Sequence, residues 1–348
     1  DDFVLAAWAA SGGAAGVGTP GRSERGRAAG VADYPGMEKG LCLFEGGATG
    51  AADGDARMTG KPAATLLHLG PGLANGLANI HNAKKAGSPM VNVIGDHTTF
   101  HKKYDAPLNS DIEGTAAPYS HWVKTVGNPD ALSEDAAEAI SAAYSHGGQI
   151  ASLVIPADIA WGDGIGKPNP IETSRDSVDP AVLDRALKAM GDGRKTGLIV
   201  GREALYGEGL QLAGKIAAAT GATLFFPYAS GRVQRGKGLP ATVRIPFPVD
   251  AAVQLLAPYE QLFLIGAAEP VAFFAYPGKP SRVVPETADL VPVVSPREDV
   301  LAALRYMAGQ IGADGIDLDE TPLPPMPSGK LTPEVLMHTV ANCIREDM

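Results

Sequence analysis

One alternation, met twice along the chain, limits what this sequence can fold into. Apolar runs of strand length, "LCLF" (41–44), "ATLLHL" (64–69), "MVNVIG" (90–95), "WVKTV" (122–126) and "ASLVIP" (151–156), are separated by helix-length stretches near 47–57, 72–86 and 130–145. A strand that is apolar throughout is buried on both faces, and helical crossovers between such strands make a parallel sheet. A first α/β domain is therefore expected over 1–162. The Gly-, Pro- and Asp-rich run 163–178 reads as a linker. The alternation restarts with the helix "PAVLDRALKAM" and strands at 196–201, "ATLFFP", 261–266 and 289–294, then a helix from Pro296 to about Ile311. A second domain is expected over 179–312, and a Pro-rich linker over 313–329.

The remaining segment, 330–348, carries a Thr332 N-cap, Pro333 at the first helical position and an apolar stripe of Leu336, Val340 and Ile344. It reads as the first helix of a third, truncated domain; docking back onto the earlier domains is the alternative. The expected class is α/β: two doubly wound domains with mostly parallel sheets covered by helices on both faces, plus the start of a third.

Composition narrows the function. At 45% apolar and 20% charged residues, the 348-residue chain can bury a substantial core. Its net charge of −10 is spread along the chain, which disfavours nucleic acid and anionic membranes as partners. No apolar run has the length of a membrane helix. The acidic start "DDFVLAAWAASGG" lacks a basic leader, so a cytoplasmic location is expected. Cys42 and Cys343 are too few for a disulfide framework, and Cys42 reads as a small core residue. Small-molecule chemistry is the class that remains.

Three stretches can carry it. Glu45 ends an apolar strand, at the carboxyl edge where open α/β sheets build their sites, and there a partly desolvated carboxylate can hold and share a proton. The plainer reading is an acid that stabilises the next helix N-terminus. Gly46, Gly47, Ala48 and Gly50 after it let another backbone or a flat ligand approach closely. In "LLHLGPGLANGLANIHNA" (66–83), His68 stands near a strand end and "GPG" (70–72) turns the chain into a helix. Such a turn can hold an anion or merely turn a corner, and a lone strand histidine is as readily a core residue. The third stretch, "IGDHTTFHKKYDAPLNSDIEG" (94–114), spaces His97, His101 and Asp105 by four. It reads as a pocket-bordering loop rather than a metal site, with Lys102 and Lys103 either solvated or facing an anionic substrate.

Together, "GTPGRSE" (18–24), a strand ending in Glu45, "GAADGDARMTGKPA", the "HLGPGLANGLAN" turn, the "PMVNVIGD" strand and "LVIPAD" (153–158) resemble the pyrimidine-binding domain of thiamine-diphosphate enzymes. The group is that of acetolactate synthase and benzoylformate decarboxylase. The resemblance covers 1–162, and 179–312 as that family's middle domain. It implies that Glu45 hydrogen-bonds N1′ of the aminopyrimidine and so promotes loss of the thiazolium C2 proton. It also implies that Gly72 and Asn75 touch the cofactor and that His68 transfers protons. Pro20, Gly21, Arg22, Ser23 and Leu108 would line the substrate pocket, Arg22 either pairing with a substrate carboxylate or blocking the way. The substrate implied is a small 2-oxo acid, decarboxylated or ligated to a second carbonyl compound, in a homo-oligomer whose active site lies between subunits.

Departures from the family pattern matter as well. Pro107-Leu108 replaces Phe-Gln, which argues against acetolactate synthesis itself, and Glu269-Pro270 stand where an FAD-binding arginine is expected, so FAD is not expected. Magnesium is bound in the family by Gly-Asp-Gly with a later Asn, in the third domain. The triplets at 162–164 and 191–193 lack that Asn at the right spacing and read as decoys. An enzyme represented by its N-terminal portion is thus expected. The alternative is a non-catalytic module that pairs with a separate subunit supplying the diphosphate domain.

Overall fold

The computed structural model describes residues 15–18, 38–164, 175–318 and 321–344. The chain divides into two compact units, 1–176 and 177–348.

The first unit runs β1 (Ala15–Gly18), β2 (Glu38–Leu41), α1 (Glu45–Thr59), β3 (Ala63–Leu67), α2 (Leu69–Ala86), β4 (Met90–Asp96), α3 (Ile112–Ala116), β5 (Trp122–Thr125), α4 (Leu132–Tyr144), β6 (Ile150–Pro156) and α5 (Ala157–Trp161). Its six strands form one parallel sheet in the order β2-β1-β3-β4-β6-β5. Burial follows from the all-apolar strands. Leu67, Met90, Ile94, Ile150 and Val154 pack against α1, α2 and α3 on one face. Val91, Leu153 and Ile155 pack against α4 on the other. Inside the sheet, Thr65 Oγ1 donates to Asn92 Oδ1 (2.8 Å), Asn92 Nδ2 donates to Ser152 Oγ (3.3 Å), and Ser152 meets Ser120 at 2.8 Å. These buried polar groups satisfy one another only in this register, so a slip of β3, β4 or β6 would orphan them.

Small residues bring α1 and α2 together. A Cβ on Gly76 would lie 2.9 Å from Thr49 Cγ2, and one on Gly50 would lie 3.0 Å from Asn79 Nδ2. At that approach Thr49 Oγ1 reaches Gly76 O (3.1 Å) and Asn79 Nδ2 reaches Gly46 O (2.7 Å). Ala48, Ala52 and Ala56 fill the rest of the contact. Much of the Gly/Ala row is thereby accounted for by helix packing within the unit.

The second unit holds α6 (Pro180–Met190), β7 (Thr196–Val200), α7 (Gly207–Thr220), β8 (Thr223–Phe226), β9 (Val243–Arg244), α8 (Val249–Leu256), β10 (Gln261–Ile265), β11 (Asp289–Val294), α9 (Val300–Gln310) and α10 (Pro333–Cys343). Its parallel sheet is ordered β11-β10-β7-β8-β9. Leu198, Val200, Phe263 and Ile265 face α6, α7 and α9, while Ile199, Leu262 and Leu264 face α8.

Several boundaries differ from expectation. The strand expected at 41–44 stops at Leu41, and Phe44 O already accepts the N–H groups of Gly47 and Ala48, so Glu45 opens a helix instead of closing a strand. His68 likewise caps α2 rather than lying in β3, and Gly70–Gly72 fall within the first turn of that helix. The helix expected from Pro296 begins at Val300, where the Asp299 carboxylate accepts the Ala302 N–H (2.9 Å). In α10 the Thr332 cap forms as expected, with Val335 N donating to its hydroxyl (3.2 Å), and the stripe of Leu336 and Val340 is exposed. No helix among the described residues is long and apolar enough to cross a membrane.

Candidate active site

The carboxyl edge of the first sheet gathers the predicted side chains. Glu45 is the first residue of α1, where the positive end of the helix dipole favours a carboxylate. Its Oε2 accepts a hydrogen bond from Asn75 Nδ2 (3.1 Å), in the second turn of α2. Gly72 sits between the two histidine- and glutamate-bearing segments. A Cβ there would lie 3.3 Å from His68 Cβ and 3.4 Å from Glu45 Oε1. Glu45, His68, Gly72 and Asn75 therefore form one constellation: a half-buried acid, an amide that orients it, an imidazole, and a glycine whose missing side chain leaves the acid uncovered on one side. Asn79 was not singled out from the sequence, yet its bond to Gly46 O fixes the turn that carries Glu45. The four-residue step from Asn75 to Asn79, which puts both amides on one helix face, was the available signal.

Leu108 lies on the loop after β4 and is exposed. That loop returns to the site, because a Cβ on Gly70 would lie 1.8 Å from Ser110 Oγ. Pro20, Gly21, Arg22 and Ser23 lie outside the described residues.

The loop after β4 is built from polar ties. Asp96, buried at the strand end, pairs with Lys102 and accepts the His97 N–H (2.7 Å). Lys102 is thus engaged by this chain's own carboxylate, and Lys103 lies over the Tyr104 ring at 5.0 Å. Asp158, at the start of α5, accepts the Thr99 N–H (3.0 Å) and hydroxyl (2.5 Å). Burial pushes Asp158 up, but the two Thr99 donors and the backbone N–H groups of Asp158 and Ile159 outweigh it and hold it below the usual carboxylate range. The rings of His97, His101 and Tyr104 adjoin in series, tilted by 59° and 51°, with centroids 5.8 Å apart at each step. No group of three or more His, Cys, Asp or Glu among the described residues is placed to hold a metal ion.

Both Gly-Asp-Gly triplets have structural work. A Cβ on Gly162 would meet Pro129 Cγ at 2.5 Å, and one on Gly164 would meet Pro129 O at 2.8 Å. Asp192 closes a turn by accepting from Arg194 N (3.0 Å) and Nε (2.9 Å).

A doubly wound parallel-sheet unit with an acid–amide–glycine group at its carboxyl edge defines a class of small-molecule site, and comparison with known proteins specifies it. Residues 3–114 match the family described as "Thiamine pyrophosphate enzyme, N-terminal TPP binding domain". The acetolactate synthase large subunit-like protein IlvX of Mycobacterium tuberculosis is 44% identical over 289 residues, covering 82% of this chain and 55% of that protein. The acetolactate synthase large subunit of Corynebacterium glutamicum is 28% identical over 170 residues, covering 46% of this chain and 26% of that protein. In fold, the thiamine diphosphate-dependent 4-hydroxybenzoylformate decarboxylase of Rhodococcus jostii RHA1 superposes with a TM-score of 0.77 at 16% identity, covering 92% of this chain and 64% of that one. The chain spans about half the length of the mycobacterial relative. Residues 3–114 thus carry the N-terminal domain of the thiamine pyrophosphate enzymes, and the chain is similar to acetolactate synthase large subunit-like proteins.

Proposed function

We propose that these residues form the aminopyrimidine side of a thiamine-diphosphate site in an enzyme that decarboxylates 2-oxo acids, ligates them, or both. The observation that carries this reading is the Glu45 carboxylate held by Asn75 at the head of α1, beside a glycine in which a Cβ would fill the approach. A flat ring with an acceptor nitrogen fits such a cradle, and the acid matches its edge. When bound, thiamine diphosphate supplies a nucleophilic thiazolium carbon and an electron sink for the departing carboxylate. Glu45 holds a proton at the ring edge and shares it with the ring nitrogen. Asn75 keeps that carboxylate turned toward the ring. His68, capping α2 beside Gly72, moves a proton to or from the substrate. The diphosphate and its magnesium are assigned to residues other than those described.

In this reading a second copy of the chain covers the site. The outward face of α1 supports it: Gly47, Ala51, Gly54 and Met58 are exposed at helical spacing, and a Cβ on Gly47 or Gly54 would meet nothing within 4 Å among the described residues. Such a face admits another backbone closely.

The test is release of carbon dioxide from aliphatic and aromatic 2-oxo acids by the complete gene product with thiamine diphosphate and magnesium. Glu45→Gln is expected to lower kcat on the order of 100-fold or more with the fold unchanged by circular dichroism. Equal turnover in the variant would remove Glu45 from the mechanism.

A further inference from the structure

The left-handed backbone positions that end α1, α2 and α7 all go to glycine: Gly60, Gly87 and Gly221, with φ of 71°, 67° and 70°. Glycine takes that conformation without a steric penalty. The head of α2 is built differently. Leu69, which opens α2 directly after His68, has φ 51°. Among the described residues, the other non-glycine residues with positive φ are Asp105, His146 and Arg202. Those three are polar and none is buried. Leu69 is apolar and 2% exposed.

A left-handed leucine costs roughly a factor of ten in the folding equilibrium, because its Cβ crowds the following carbonyl. Such strain persists only where the surroundings over-determine it, and it concentrates at functional sites. Glycine at 69 would make the same bend without strain, so the leucine side chain serves something the bend alone does not need. Its burial supplies the hold: turning φ back to negative values would swing the side chain out of its buried place. Both flanks of this elbow belong to the site. On one side His68 is extended (φ −89°, ψ 98°), and its carbonyl accepts the Gly72 N–H (2.8 Å). On the other, Gly70 is pressed against Ser110, Gly72 lies beside His68 Cβ and Glu45 Oε1, and Asn75 holds the Glu45 carboxylate.

We propose that Leu69 is a positioning residue: its buried side chain locks a strained left-handed elbow that fixes the His68 imidazole beside Gly72 and Glu45. This rests on the reading that the site binds thiamine diphosphate and that His68 moves a proton there. Leu69 itself touches no reacting atom. It narrows the directions open to the imidazole, so less freedom is lost in the step that His68 serves. Glycine at this position would keep the bend and release the ring.

Two arms test the elbow in the complete gene product. The first needs no turnover. Leu69→Ala and Leu69→Gly lose nearly the same buried side chain, but only alanine keeps a Cβ in the left-handed backbone. In urea unfolding the glycine variant is expected to have the larger folding constant, the reverse of the order in an ordinary helix. The His68 ring-proton NMR signal, without added cofactor, is expected to shift or broaden in Leu69→Gly. It should stay in place in Leu69→Met, which conserves apolar volume. A glycine variant no more stable than the alanine one, or an unmoved His68 signal in it, overturns the proposal. The second arm is a double-mutant cycle on turnover. Leu69→Gly is expected to lower kcat about tenfold in the wild type and less than about twofold in His68→Ala. Leu69→Met should stay within about twofold of the wild type. An equal loss in both backgrounds would make Leu69 a support of the fold alone and overturns the proposal as well. If thiamine diphosphate fails to bind the wild type, the functional reading falls, and the first arm still decides whether Leu69 holds His68.

Discussion

Two residues show how single side chains set this site. At Gly72 a Cβ would crowd His68 Cβ at 3.3 Å and lie in van der Waals contact with Glu45 Oε1 at 3.4 Å. Gly72→Leu is expected to weaken thiamine diphosphate binding by roughly tenfold or more, about 1.4 kcal/mol, as read by calorimetry. Its effect on unfolding should stay within about 1 kcal/mol, because leaving glycine in a helix offsets the crowding. Asp158 ties down the loop after β4 through Thr99. Its folded-state carboxyl is held below the unfolded value, so its contribution to stability is complete above the unfolded value and is lost as pH falls through the folded one. Thr99→Val removes the hydroxyl donor, leaving Asp158 to titrate at higher pH. A loss of about 1–2 kcal/mol in urea unfolding near neutral pH is expected, shrinking in acid. Glu45, His68, Gly72 and Asn75 were legible in the sequence because strand ends and the glycine turn after them mark the working edge of an α/β sheet. Asn79 and the Asp158–Thr99 tie were not, since each joins residues 33 and 59 apart that only the folded sheet brings together.

At the scale of elements, the sequence located the long apolar strands and the strongly periodic helices, and it missed what carries little pattern. β1 is "AGVG", with one β-branched residue in four, and β9 has two residues. Neither offers periodicity to read. The end of β2 was misplaced for a related reason: Cys42 to Phe44 are apolar, yet Leu43 and Phe44 are exposed, so hydrophobicity continued past the point where pairing stopped. The Gly/Ala row after Glu45 proved to have two faces. One is spent on α2, the other is exposed. Gly76→Leu should force α1 and α2 apart at cost of about 1–3 kcal/mol in chemical denaturation and separate Asn75 from Glu45. On the outer face, Gly54→Arg is expected to leave monomer stability unchanged and to abolish self-association in sedimentation velocity. An unaltered oligomer would place the second copy elsewhere.

For the whole molecule, two parallel-sheet units follow from two rounds of strand–helix alternation, and the division at 176/177 falls inside the Gly- and Pro-rich run expected to link them. The relatives supply the likeness, while the site's own chemistry has to be argued from Glu45 and its neighbours. The central claim is that the Glu45 edge receives the aminopyrimidine of thiamine diphosphate. Titration calorimetry of thiamine diphosphate with magnesium into the complete gene product, wild type against Glu45→Gln, tests it most directly. The account predicts saturable binding in the wild type and an affinity roughly tenfold lower or worse in the variant, the loss of about one good charged hydrogen bond. Equal affinity in the two proteins would contradict it.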